Sequence, residues 1–531
     1  MLEKGDSGST SSKMPESTNV LTSYGNGDLS ALTSAGLSAQ RPSQYMQTEE
    51  KQYRQVLEAN ENYLGPEHEG TLTSVNNLAR VLTDQGRYEA AEAMYRRAVD
   101  GREKVLGPNH LDTLASLNSL AWVLRERGEY KAAEAMHQRV IDKREEMLGP
   151  EHPDTLASIT HLGWVFRLQG KYKAAEVMYR RVLHARERVL GPEHPETLVS
   201  VHNLAWVLWE QGKYEVAEAM QRRVLDGLEK ILGPEHPDTL SSVCDIAWVL
   251  REQYKYEAAE AMYQQALDGR RKVLGPEHPD TLYSICSMAW VLGMRGRYEV
   301  AEAMYQQVLD GRRKVLGPEH PDTLSSICDI AWVLGEQGKY KGAEAMHQQA
   351  VDKREKVLGL EHPATLTSVY NLADVLWMQG KYKAAEAMYQ RALDGRQKVL
   401  GPDHPDTLES VSGLALVLWD QGKYKVSRVM HQQVLDKREK VLGLEHQHTL
   451  TSVNNLAWVL RERGELEVAE AMYQRLLKRQ EKLLGLEHQR TLKSVGNLAM
   501  VLGEQGKYEV AEAMHRRVLV GTRASKHASE R

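Results

Sequence analysis

An all-α superhelical solenoid built from one repeated helix pair is the fold this sequence predicts, and three observations predict it. A Leu-Gly-(Pro/Leu)-(Glu/Asp/Asn)-His turn recurs eleven times, with its glycine at Gly65, Gly107, Gly149, Gly191, Gly233, Gly275, Gly317, Gly359, Gly401, Gly443 and Gly485, always 42 residues apart. Between the turns, apolar residues return at three- and four-residue steps, the spacing of a helical stripe. No insertion interrupts the period over about 460 residues, so each unit is stacked on the last and buries its apolar face on its neighbours.

Taken in order, residues 1–45 are rich in Ser, Thr and Gly without apolar periodicity and read as a disordered leader. Residues 46–64 form a lone capping helix, in register with the second helix of later units, since Tyr53 falls 42 before Tyr95. Eleven helix pairs occupy 65–520, and 521–531 is a polar tail. Within the first pair, Leu72, Val75, Leu78, Ala79 and Leu82 make the buried stripe of the first helix, which Gly86 ends. The second helix starts at Tyr88, with Glu89 and Glu92 at the positive end of its dipole, and turns Ala91, Met94, Tyr95, Ala98 and Val99 inward. The Leu-Gly-Pro turn closes it: glycine suits a left-handed C-cap and the proline does not extend the helix. The Asp-Thr that follows in most copies, as at Asp154-Thr155, is expected to cap the next first helix. Two copies depart locally. Tyr254 replaces the turn glycine, and Ser427-Arg428 replaces the usual Ala-Glu, removing a favourable charge from that helix start.

Composition excludes several classes. With a net charge of −5 the chain offers no basic field for nucleic acid. No stretch approaches the roughly 18 apolar residues of a membrane span, and the start lacks a secretory core, so a soluble, cytoplasmic protein is expected. Cys244, Cys286 and Cys328 fall in one column of successive units, too far apart to bridge, which fits a reducing compartment. The turn histidines, from His68 to His488, each sit alone on their turns, so no metal site is expected. Phosphate loops, nucleophile elbows and dinucleotide fingerprints are absent; neither an enzyme nor a cofactor is expected.

These residues carry a resemblance. The small residue at Ala79, Ala121, Gly163 or Ala205, the Gly-Lys/Arg-Tyr that follows, and the Ala and Tyr/His of the second helix resemble the tetratricopeptide repeat. The 42-residue unit and its Leu-Gly-Pro-Glu-His-Pro-Asp-Thr linker are most similar to the subtype found in kinesin light chains and in the C-terminal arrays of fungal NB-ARC or NACHT receptor-like proteins. The resemblance implies a right-handed superhelix whose concave groove holds an extended peptide or a partner helix.

Comparison of the copies separates scaffold from candidate site. Leu72, Ser74 and Val81 head columns that never change, whereas those headed by Thr73, Asn76, Arg80 and Thr83 vary freely. Steps of 3, 4 and 3 hold the variable columns within about 80° of one another on the first helix. All ten tryptophans lie there: Trp122, Trp164, Trp206, Trp248, Trp290, Trp332 and Trp458 in the Arg80 column, and Trp209, Trp377 and Trp419 in the Thr83 column. Tryptophan suits a binding hot spot; repeated at one position, it equally suits packing between neighbours. Asn77, Asn203, Asn371, Asn455 and Asn497 share a flanking column, and an amide grips a peptide backbone by donating and accepting together. In kinesin light chains asparagines at the matching place bind the peptide main chain. Interruptions in this ladder favour two binding stretches. Asp329, Glu336, Asp374, Glu409 and Asp420, with no Lys or Arg among them, suit a basic partner. The reading is therefore a peptide- or helix-binding scaffold. Its alternatives are a self-associating structural repeat and a recognition module docking on a nucleotide-binding partner.

Overall fold

The structure, a computed structural model, describes residues 43–529, so the expected leader lies almost wholly outside the described residues. Among these, twenty-three helices follow one another without a strand. The first, α1 (Ser43–Leu64), stands alone. It is followed by eleven pairs, from α2 (Glu69–Asp84) with α3 (Tyr88–Val105) to α22 (Gln489–Glu504) with α23 (Tyr508–Ser529). The last helix continues into the stretch read from sequence as a tail.

Each linker starts the same way. Its glycine is left-handed, with φ between 86 and 96°, conformations that cost a side chain about 1–2 kcal/mol. In six linkers a threonine six residues on donates its hydroxyl back to that glycine's carbonyl, as Thr71 does to Gly65 at 2.7 Å; in the linkers that carry Thr155, Thr365, Thr407, Thr449 and Thr491 that hydroxyl is buried without a partner. The helix cap differs from the expectation. At every first helix the N-cap is the linker histidine, in extended conformation, and its Nδ1 accepts the backbone N–H two residues on, as from Asp154 to His152 at 3.2 Å. The Asp-Thr expected to cap lies inside the helix, its acid facing the positive end of the dipole. Nδ1 being the acceptor, the ring proton sits on Nε2.

Neighbouring pairs are stapled by a buried arginine on the second helix. Arg102 Nη1 donates to the Asp112 carbonyl at 3.0 Å and to Ser116 Oγ at 2.8 Å in the next pair. Arg396, fully buried, does the same to Asp406 at 2.9 Å and Ser410 at 2.9 Å. This staple explains why the column headed by Ser74 never varies. Where Leu228 replaces the arginine, the Ser242 hydroxyl is buried without a partner. On the outside, the second-helix glutamate meets a base in the next turn, as Glu176 meets Lys213 at 3.3 Å. At the Ser427-Arg428 site the pair persists with its signs exchanged, Arg428 meeting Glu465 at 3.1 Å. Such exposed pairs contribute about 0–1 kcal/mol each.

The first helices form the inner layer and the second helices the outer one. In the fifth pair, α10 (Pro237–Glu252) buries thirteen of its 16 residues, and its partner α11 (Tyr256–Val273) buries five of 18. The row of pairs winds into a coil tight enough to touch itself. His362 Nε2 donates to the Glu126 carbonyl at 2.8 Å and His404 Nε2 to the Leu168 carbonyl at 3.0 Å, partners 236 residues apart. That offset is between five and six repeats. Pro363 lies against Gly128 and Pro405 against Gly170, where an added Cβ would come within 2.6 and 2.7 Å of the rings. The within-pair turns of pairs one to five thus carry the linkers that lead into pairs seven to eleven. At the fifth such turn Tyr254 has φ 60°, and its ring meets the His488 ring at 4.8 Å and the Arg490 guanidinium at 4.5 Å.

Candidate protein-binding face

The variable columns of the first helices face the interior of the coil, and in those headed by Thr73 and Arg80 exposure follows position along it. At the start Thr73 and Arg80 are exposed; at the end Lys493 and Met500 are. Between them the same columns close over, Glu409 and Asp374 being buried, and so does the flanking asparagine column at Asp245, Asp329 and Asn371. The interior is therefore filled at mid-length by its own side chains and open towards its two ends.

The tryptophans form a ladder packed largely on itself. Trp206 and Trp248 are 5% and 2% exposed, their ring centroids 5.6 Å apart, and Trp209 joins them edge-on at 5.5 and 5.9 Å. Arginines of the Thr83 column slot between successive rings. Arg125 lies 5.2 Å from Trp122 and 4.4 Å from Trp164, and Arg251 lies 3.7 Å from Trp248 and 4.1 Å from Trp290. Trp290 stacks on Trp332 at 6.2 Å and Trp419 meets Trp458 at a tilt at 5.0 Å, while Trp377 Nε1 donates to Asp420 at 2.5 Å. Contacts of this kind contribute about 0.5–2 kcal/mol each. Eight of the ten rings, all but Trp206 and Trp248, keep part of their surface accessible.

The asparagine column divides in the same way. Asn77, Asn203 and Asn497 are half-buried, Asn497 donating to Asn454 at 3.0 Å. Asn371 and Asn455 are buried, and Asn371 Oδ1 has no protein partner. The acidic residues do not form one open surface. Asp329, Asp374 and Glu409 are covered, Glu336 is half-buried and Asp420 exposed. Burial pushes the Asp374 carboxyl up to about 8, and Tyr389 O–H donates to it. The interior also holds polar groups that are not among the candidate site residues. His137 contacts Asn118 at 3.0 Å, and burial draws the neighbouring His161 imidazole down to about 4. His202 lies 3.3 Å from Asp245. His161 and His202 are visible in the sequence as variants of the columns headed by Asn77 and Asn76, and His137 as a variant of the second-helix column headed by Tyr95, but only the packing shows which partners they meet inside the coil.

Cys244, Cys286 and Cys328 are free, buried thiols, and burial pushes each of them up. Among the described residues no group of His, Cys, Asp or Glu is placed to hold a metal, and no helix is long and apolar enough to cross a membrane.

The tetratricopeptide repeat pattern matches the chain over 50–146 and 222–519 in overlapping segments, and a second form of the pattern matches 155–196 and 197–238. No curated protein matches the sequence. Among solved structures, the chain is similar to nearly identical TPR-like repeats of a Podosopora anserina protein described as a kinesin light chain. That likeness is 26% identity over 38% of this chain and 95% of the other, with a TM-score of 0.33; a variant of the same protein gives 0.34. It is also similar to BtubC (BKLC) from P. vanneervenii, at 17% identity over 46% of this chain and 92% of that one, with a TM-score of 0.34. Since the repeat pattern spans well over half of the sequence, the chain belongs to the tetratricopeptide repeat family.

Proposed function

We propose that this non-catalytic repeat scaffold binds a protein segment, an extended peptide or a partner helix, on the concave face at the two ends of its coil. The scaffold role follows from the family. The observation that carries the finer reading is the exposure gradient: the variable columns open at Thr73 and Arg80 and again at Lys493 and Met500, with covered residues between. Accessible tryptophan and asparagine stand near both openings, Trp122 with Asn77 at one and Trp458 with Asn497 at the other, supplying aromatic anchors and bidentate amides. Two short binding stretches fit this arrangement better than one continuous track. A basic partner would rest on Glu336 and Asp420, the two acids of the stretch that keep solvent access. The free thiols fit a cytoplasmic setting.

The test is the affinity of a labelled peptide, selected from a random display library on the intact chain, for wild type and for a Trp122→Ala/Trp458→Ala variant of equal helicity. Loss of about tenfold or more is expected, as for hot-spot tryptophans. Unchanged affinity would move binding to the outer helices.

A further inference from the structure

The two edges of the coil are the two halves of one interface, and the chain satisfies only part of it. The upper edge is the row of within-pair turns. In pairs two and three it is covered by the next turn of the coil, leaving Tyr130 8% and Tyr172 9% exposed. In pairs eight and nine no described residue covers it, and Tyr382 and Tyr424 are 37% and 49% exposed. The glycines say the same: an added Cβ would strike Pro363 from Gly128 and Pro405 from Gly170, but would meet nothing within 4 Å at Gly380 or Gly422.

The lower edge is the row of linkers, and it is uncovered at the opposite end. Val399 reaches to 3.8 Å of the Gly128 Cβ position, and Leu442 packs with Tyr172 at 9% exposure. In the first turn of the coil the positions equivalent to Val399 are bare, Met147 at 49% and Val189 at 60%. Those residues continue a row of exposed apolar side chains at 42-residue steps, Val105, Ile231 and Val273. Rows of this kind mark interaction surfaces. Their complement is already present in the molecule. Gly380-Lys381-Tyr382 repeats the upper-edge Gly170-Lys171-Tyr172, and Val189-Leu190-Gly191-Pro192 repeats the lower-edge Val399-Leu400-Gly401-Pro402.

We infer that the partner for both bare edges is a second copy of this chain, stacked coaxially so that the linkers of its first turn sit on the uncovered turns of pairs seven to ten. The contact repeats the internal one, with proline against turn glycine, linker histidine Nε2 donating to a first-helix carbonyl, and the Val-Leu before the linker glycine packed on the turn and its tyrosine. Upper edge meets lower edge, so the contact is heterologous and does not close; copies add into a column. This surface is distinct from the concave face assigned above to protein segments.

Sedimentation velocity of the full chain over a range of concentrations tests it. Wild type should gain mass beyond one chain as concentration rises. Tyr382→Glu spoils only the upper edge and Val189→Glu only the lower, each placing a charge where an apolar contact forms. Either variant alone should associate about tenfold or more weakly, and an equimolar mixture should recover a dimer that does not grow, through the one intact pair of edges. Equal helicity by circular dichroism is required; should Tyr382→Glu lose it, Tyr382→Ala reads the same face. The Trp122→Ala/Trp458→Ala variant should assemble as wild type does. A wild type that stays a single chain throughout would overturn the inference. So would edge variants that associate undiminished, a mixture that recovers nothing, or loss of assembly in the tryptophan variant.

Discussion

Gly170-Lys171-Tyr172 and Gly380-Lys381-Tyr382 are the same three residues in the same turn of the same repeat, yet Tyr172 is 9% exposed and Tyr382 is 37%. The difference lies in what arrives 236 residues later. The first turn of the coil is covered by linkers of the second, and the second is bare. Burial in this array is thus a property of position along the coil more than of the repeat. Each copy carries a contact surface whether or not a neighbour is there to use it.

Three sets of substitutions test that contrast. The largest effect should come from the arginine staple, which lies within a turn and should ignore the difference. Arg102→Ala and Arg396→Ala each remove the same three kinds of partner, a carbonyl, a serine and a threonine hydroxyl, and should each cost about 3 kcal/mol in lost charged hydrogen bonds and packing. Unequal costs in chemical unfolding would mean that the two turns differ in more than their coverage. Next comes glycine. Gly128 and Gly380 share a left-handed backbone, φ 79 and 73°, so alanine should cost about 1 kcal/mol at either site. Only at Gly128 does the new methyl meet Pro363, which should add about 1–3 kcal/mol. Equal midpoints for the two variants would refute the stacking of turns. The smallest effect is expected at Tyr254. Its left-handed backbone alone predicts that Tyr254→Gly stabilises by about 1–2 kcal/mol. The contacts with His488 and Arg490, about 1 kcal/mol each, oppose that gain. A net change below about 1 kcal/mol is expected; a full gain would show that those contacts are absent in solution.

Most of the fold was legible in the sequence because each copy states the same helix pair and the fixed period states the stacking. The variable face was legible too, since columns that change stand beside columns that do not. Three features were not. The linker histidine reads as an isolated turn residue, and its role as a cap depends on ring geometry at an extended backbone. The arginine and its serine are both visible as columns, but their pairing 14 residues apart across two helices follows from packing. The self-contact of the coil is furthest from the sequence. It is set by a small rotation between neighbouring pairs that accumulates over more than five repeats, and no local pattern encodes it. For the same reason the acids at Asp329, Asp374 and Glu409 look like an open charged groove until the curvature encloses them.

The contact between turns also changes the dimensionality of the array. Most repeat proteins behave as a line, in which each unit answers only to the one before and after it. Here a unit has neighbours in two directions, and the chain is a lattice rolled onto a cylinder with the 42-residue repeat as its cell. Adding or deleting one whole cell leaves every vertical contact in register, because any copy substitutes for any other. Inserting a few residues into a linker or a turn would wedge apart two layers at once. Loops at the edges of a solenoid ordinarily absorb such insertions; these loops are the mortar between layers, which gives a physical reason for a period that never slips from 42.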